Sequence, residues 1–221
     1  MSKTALRAVL LLGTILLGSV NFARAQGIRV SPYFGLGGEK DRVGTTNTST
    51  VACPTGQLFD GLVCENGPTM GGLFGEVGVD FMFRRKLGVN AEYAWRFSRA
   101  TFLAADSLDF RPSFYDLNAV WQPFGSRVAP VLEGGFGIAK ISLYSTGTPV
   151  TGVTDRSSFP AGSDTNHFQL HGAVGLKVYL RGNLFVKPEF DLHYVTKFTD
   201  QFGRKLVVGY MIQAGYSFGG R

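Results

Sequence analysis

Glu189, Asp191 and His193 stand two apart in the stretch Lys187-Pro-Glu-Phe-Asp-Leu-His193. A carboxylate beside an imidazole can orient a general base. If the stretch is a β-strand, the three side chains share one face at steps of about 6.6 Å. A nucleophile is missing, because no serine adjoins His193 in the sequence. The favoured reading is a buried ion network, with no catalytic residue assigned. His167 and His171 are the chain's other histidines. Four apart on a helix, they would share a face and could grip one ion. On a strand they share a face but lie about 13 Å apart. They then hold no ion without help from other strands and read as polar wall residues. No metal ligand and no cofactor are assigned.

These readings depend on the elements that carry the residues, and the hydrophobic pattern settles that. In the last segment Leu206, Val208, Tyr210, Ile212, Ala214, Tyr216 and Phe218 fall on one parity. Lys205, Gly209, Gln213, Gly215 and Ser217 fall on the other. Side chains of a strand alternate between its two faces, so the segment has one greasy face and one polar face. The same rhythm recurs over residues 27–37, 70–83, 87–98, 111–121, 127–141, 166–180, 184–198 and 204–218. A water-soluble sheet would bury the greasy face against a second layer. A closed barrel in a bilayer turns it toward lipid.

The ends and the composition favour the second arrangement. Lys3 and Arg7 form a charged start, Ala8 to Val20 is an apolar run, and Ala23-Arg24-Ala25 fits an A-x-A cleavage site. Residues 1–25 therefore read as a cleaved secretory signal peptide, and 26–221 as one barrel domain. The chain has 22 Lys and Arg against 16 Asp and Glu; without Lys3, Arg7 and Arg24 the balance is 19 to 16, or +3. So small an excess gives no reason to expect a nucleic-acid partner. Beyond the leader no run of apolar residues is long enough for a membrane helix. Yet hydrophobic residues make up 44% of the chain, which also holds 19 Phe, 8 Tyr and 30 Gly. Together these features point to a Gram-negative outer membrane.

The expected fold is all-β: an eight-stranded, antiparallel, up-and-down transmembrane β-barrel. Its connections alternate in length. Arg84-Arg85-Lys86, Gln122 to Ser126 and Arg181-Gly182-Asn183 are short; 38–69, 99–110 and 142–165 are long, and 199–203 is modest. Such barrels have short periplasmic turns and longer external loops. With that orientation, Phe83, Trp121 and Phe218 fall at the periplasmic girdle, and Phe34, Trp95, Phe97 and Phe198 at the outer one. The interior parity carries Arg29, His171, His193, Lys197 and Lys205, and an expected lumen ion network of Glu76, Asp80, Glu92, Arg96, Asp116, Glu133, Lys177, Lys187, Glu189 and Asp191. Eight strands enclose a space just wide enough for side chains. Charges confined there must pair, because an unpaired one is costly to desolvate.

Cys53 and Cys64 are the chain's two cysteines and bracket a stretch of the first long loop. In an exported chain they are expected to form a disulfide. The bond would stabilise by about 2–3 kcal/mol on loop-closure arithmetic. Free thiols or a metal pair are the alternatives, disfavoured by the oxidising compartment and by the lack of a nearby histidine in the sequence.

The leader, the eight segments, the mixed-charge lumen and the closing Gly209-Tyr-Met-Ile-Gln-Ala-Gly-Tyr-Ser-Phe218 resemble the small OmpA/OmpX-type outer-membrane β-barrels. The resemblance implies that Tyr210, Ile212, Tyr216 and Phe218, with Ala214, form the signal read by the barrel-assembly machinery. Gly219-Gly220-Arg221 follow Phe218, a departure from a terminal aromatic. Expected partners are outer-membrane lipid and lipopolysaccharide, the assembly machinery with periplasmic chaperones, and an unidentified extracellular ligand. The expected role is non-enzymatic: envelope structure or surface interaction through loops 38–69 and 142–165. Steric filling beneath lipopolysaccharide is the plainer use of those loops. A narrow gated channel is the second reading. A lipid A-modifying enzyme is the third, since some barrels of this size do that work.

Overall fold

The computed structural model describes residues 28–41, 70–103, 108–145, 164–196 and 205–219. All regular structure among them is β: β1 Arg29–Asp41, β2 Gly72–Met82, β3 Leu87–Arg96, β4 Ala100–Leu103, β5 Leu108–Trp121, β6 Val128–Ser145, β7 Asp164–Arg181, β8 Leu184–Val195 and β9 Leu206–Tyr216. The sheet runs β3-β2-β1-β9-β8-β7-β6-β5, and β3 pairs with β5 to close it. Every pairing is antiparallel. The result is a closed barrel of eight strands, with β4 as a short added segment. β4 pairs with β5 beyond the point where β3 leaves it, so it continues the edge of β3 after a break at 97–99.

Closure removes the free edge, and each of the eight barrel strands finds partners on both sides. The seam joins β1 to β9 from Tyr33↔Gly215 to Asp41↔Val207, and a bridge from Val30 to Phe218 extends it. The outer face is apolar around the ring: Leu36, Leu73, Leu117, Phe136, Leu170 and Ile212 are all exposed, Ile212 to 65%. No second layer of the described residues covers this belt. A continuous apolar surface of that extent is stable in lipid, where the ladder satisfies the backbone and the side chains meet acyl chains.

The strands outrun the sequence expectation at their outer ends. β1 continues to Asp41 rather than ending at 37, β6 continues to Ser145, and β7 begins at Asp164. The stretch 99–110, expected as a loop, holds β4 and the start of β5. The reason is that ladder bonds use backbone groups and do not require apolar side chains. Above the lipid, a strand carrying Glu39, Lys40 or Asp164 is still paired. Lys205, placed on the interior parity, is instead exposed just before β9 begins.

Candidate functional site

The lumen is the candidate site, and it is packed in three levels. At the end of the short turns, the one expected to face the periplasm, Arg29 Nη2 donates to Gln122 Oε1 at 2.5 Å. The Ser31 and Ser217 hydroxyls meet at 2.8 Å. Two small clusters complete this floor: Tyr33 with Tyr179 and Phe185, and Met82 with Val120 and Val131. At the outer end, Phe74, Phe110 and Phe114 are fully buried among Met70, Ile141, Leu143, Val195, Val207 and Met211. Phe74 stacks on Phe114 with centroids 5.9 Å apart. These apolar side chains point into the barrel and close it from outside.

Between the seals lies a polar layer. Lys177 Nζ donates to Asp80 Oδ2 at 2.7 Å. Three barrel strands lie between β7 and β2 in either direction, so this bond spans the lumen. Lys187 Nζ lies 2.7 Å from Glu133 Oε1 and 2.7 Å from Glu189 Oε2. The bridge from β8 to β6 passes over β7 at Gly175, where a Cβ would sit 2.9 Å from Glu189 Oε2 and 3.2 Å from Lys187 Cγ. Glycine is used there for space. Each ammonium also faces a ring: Lys177 is 4.1 Å from the Phe185 centroid and Lys187 5.0 Å from that of Tyr33.

Neutral polar side chains, which the charge-based reading passed over, finish the layer. Asn90 donates to Tyr33 Oη at 2.7 Å and to Asp80 Oδ1 at 2.9 Å. Tyr33 donates to Glu92 Oε2 at 3.0 Å. Gln213 Nε2 donates to Glu76 at 2.9 Å and to Glu189 at 2.5 Å. Gln169 Nε2 donates to both oxygens of Asp116 at 2.7 and 2.8 Å. Their signal in the sequence was parity: Asn90 and Gln169 share the inward faces of their strands with Glu92 and His171, and Gln213 falls on the polar parity of β9.

The structure places Glu76, Asp80, Glu92, Asp116, Glu133, Lys177, Lys187, Glu189 and Asp191 in this one layer. Arg96 sits elsewhere. Its register partner is Phe74, in the outer seal, and its guanidinium packs against Gly72. It is therefore removed from the Lys187 trio, because β3 carries it one seal further out. Glu189, Asp191 and His193 do share the inward face of β8. His171 lies opposite His193 across the β7–β8 ladder, and their rings stack at 4.6 Å. Register brings together two histidines that are 22 positions apart, a contact that no spacing within one strand could reveal. Tyr210, Ile212 and Tyr216 face outward on β9, and Phe218 pairs with Val30 at the seam. Cys53, Cys64, Lys197, Phe198 and the proposed leader lie outside the described residues.

An apolar belt around a closed, up-and-down, eight-stranded barrel is the architecture of the small OmpA/OmpX-type transmembrane β-barrels. No family model matches the sequence, and no curated protein is similar enough to count as a relative. Among solved structures, the chain is similar in fold to Ail, the attachment invasion locus protein of Yersinia pestis, solved with the heparin analogue sucrose octasulfate. The TM-score is 0.52 at 14% identity, covering 86% of this chain and 99% of that one. A major outer membrane protein from Thermus thermophilus gives 0.51 at 13% identity, covering 86% and 99%. The N-terminal β-barrel domain of Pseudomonas aeruginosa OprF gives 0.50 at 13% identity, covering 87% and 98%. These likenesses are of fold.

A closed barrel of this kind should resist detergent until heated, because no strand edge is open to attack. The refolded protein is expected to run at different apparent masses on a gel before and after boiling. Unchanged mobility with helical circular dichroism would contradict the architecture.

Proposed function

We propose that this chain is a non-enzymatic outer-membrane protein, exported by a signal peptide cleaved after Ala25, whose barrel is a solid scaffold for its long external connections. The observation that carries this reading is the Lys177–Asp80 bond, which joins opposite walls at 2.7 Å between two apolar seals. A lumen tied across its width and stoppered at both ends suits a support better than a conduit. The same seals enclose Glu189, Asp191 and His193, so a lipid substrate has no approach to them through the barrel. That disfavours the lipid-modifying reading.

The outer rim supplies a contact surface for anionic headgroups. Arg99 lies over the Tyr144 ring at 4.0 Å, with Arg111 at 5.9 Å from the same centroid. Lys140 stands below them on β6, paired with Asp164 at 2.7 Å. Lipopolysaccharide phosphates fit cations at this height. The assembly machinery and periplasmic chaperones are the further partners we propose. The connections 42–69 and 146–163 would carry contact with an extracellular ligand, the former held by a Cys53–Cys64 bond.

Gene deletion with paired assays tests the reading. The expected result is reduced surface binding of host or matrix material with unchanged uptake of small solutes. Reduced uptake with unchanged surface binding would favour the channel, and a mass shift of lipid A would favour the enzyme.

A further inference from the structure

The polar layer divides into two halves that differ in how charge is balanced. Lys177 and Lys187 serve Asp80, Glu133 and Glu189, while Glu76 beside them is held by Gln213. The other half holds Glu92, Asp116 and Asp191 around His171 and His193. The ion-pair partners of these carboxylates among the described residues are the two imidazoles, not lysine or arginine. The imidazoles stack at 4.6 Å with planes 23° apart. Two imidazolium rings in that contact would repel, so the pair readily carries one positive charge at most against three carboxylates. Buried charge left uncompensated is costly. A proton or a cation must complete the site.

The geometry favours a cation. Glu92, Asp116 and His171 each offer a donor atom within 4.8 Å of the others. His171 Nδ1 lies 3.2 Å from Glu92 Oε1 and donates to Asn118 Oδ1 at 3.0 Å, so an ion there takes the place of the Nδ1 proton between two oxygens. The other ring nitrogen, Nε2, is buried without a hydrogen bond and faces Asp191 Oδ1 at 3.7 Å, on the side where a metal-bound histidine has its orienting carboxylate. Beside them, His193 Nδ1 is buried and makes no hydrogen bond, and it points at Asp116 Oδ2 from 3.7 Å. Asp191 Oδ2 is likewise buried without a hydrogen-bond donor. His193 Nδ1 is thus aimed into the cluster with no hydrogen bond to satisfy it.

We propose that the lumen holds one divalent first-row transition-metal ion, bound by His171 Nδ1 and the carboxylates of Glu92 and Asp116, with Asp191 orienting His171. An imidazole with two carboxylates suits zinc and its neighbours better than calcium or magnesium, which take all-oxygen sites. Both seals exclude solvent from the layer, so the ion is taken up as the barrel folds and is retained afterwards.

The test refolds the mature chain from urea into detergent with cobalt(II) or with a chelator, then removes unbound metal. Metal content and the visible spectrum are read on the form that shifts on heating. The expected result is one cobalt ion per barrel, with a ligand-field band and no thiolate charge-transfer band. His171→Gln and Asp116→Asn should each lose the ion, and His167→Gln, at the outer end of β7, should keep it. Failure of the wild type to retain cobalt or zinc overturns the proposal and leaves a shared proton as the balancing charge. A thiolate band would place the ion on the cysteines and overturns it equally, a distinction that needs only the wild type if a variant does not fold. Retention of the full complement by folded His171→Gln also overturns it.

Discussion

Replacing Lys187 with methionine is expected to destabilise the refolded barrel by about 3–5 kcal/mol, the cost of removing one partner from a buried ion pair. The effect should sit at the upper end, because this ammonium balances two carboxylates, Glu133 and Glu189, each 2.7 Å away. Methionine keeps most of the volume, so the loss is electrostatic rather than a cavity. Adding Glu133→Gln and Glu189→Gln to the same protein should restore most of the stability, since a neutral replacement of a buried ionic group is often tolerated. Urea titration of folding in lipid vesicles measures both. A loss under about 1 kcal/mol would mean that the trio is hydrated like a surface pair.

The second large effect is expected in the outer seal. Phe114 is fully buried, stacked on Phe74 at 5.9 Å and on His193 at 4.5 Å. Phe114→Ala should cost about 3–5 kcal/mol, combining lost transfer energy with the cavity left behind. Leu117 lies on the same strand but faces outward and is 50% exposed. Leu117→Ala leaves no cavity, because acyl chains refill the space, and should cost less. Equal losses at the two positions would contradict a packed lumen. The same urea titration gives the comparison.

The outward half of the barrel was legible in the sequence because lipid imposes one rule on it. Tyr210, Ile212 and Tyr216 keep strict alternation, and the structure exposes all three. The inward half obeys no comparable rule. Parity assigned Glu76, Lys177 and Lys187 to the lumen, but parity does not give height or the facing wall. Arg96 has the right parity and lies at the level of the outer seal; Gln122, read as part of a turn, is buried in the floor with Arg29. The seal itself was missed although parity turns its rings inward, Phe74 with Glu76 and Asp80, Phe110 and Phe114 with Asp116; the reading of the inward faces followed charge, and only the register gathers these rings at one height. The His171–His193 stack depends on that register too. Strand ends were misjudged at Asp41 and Ser145 because polarity marks where lipid stops, not where backbone pairing does.

The central claim is that the lumen is filled across its width. Single-channel recording of the purified wild type in planar bilayers tests it most directly. Apolar side chains close both ends, and the Lys177–Asp80 bond spans the middle. A space this narrow leaves little room for bulk water. The expected trace is a near-silent baseline, with openings appearing when Lys177→Ala frees Asp80 to draw water in. Large, steady wild-type conductance that Lys177→Ala leaves unchanged would contradict the account and mark the barrel as a pore.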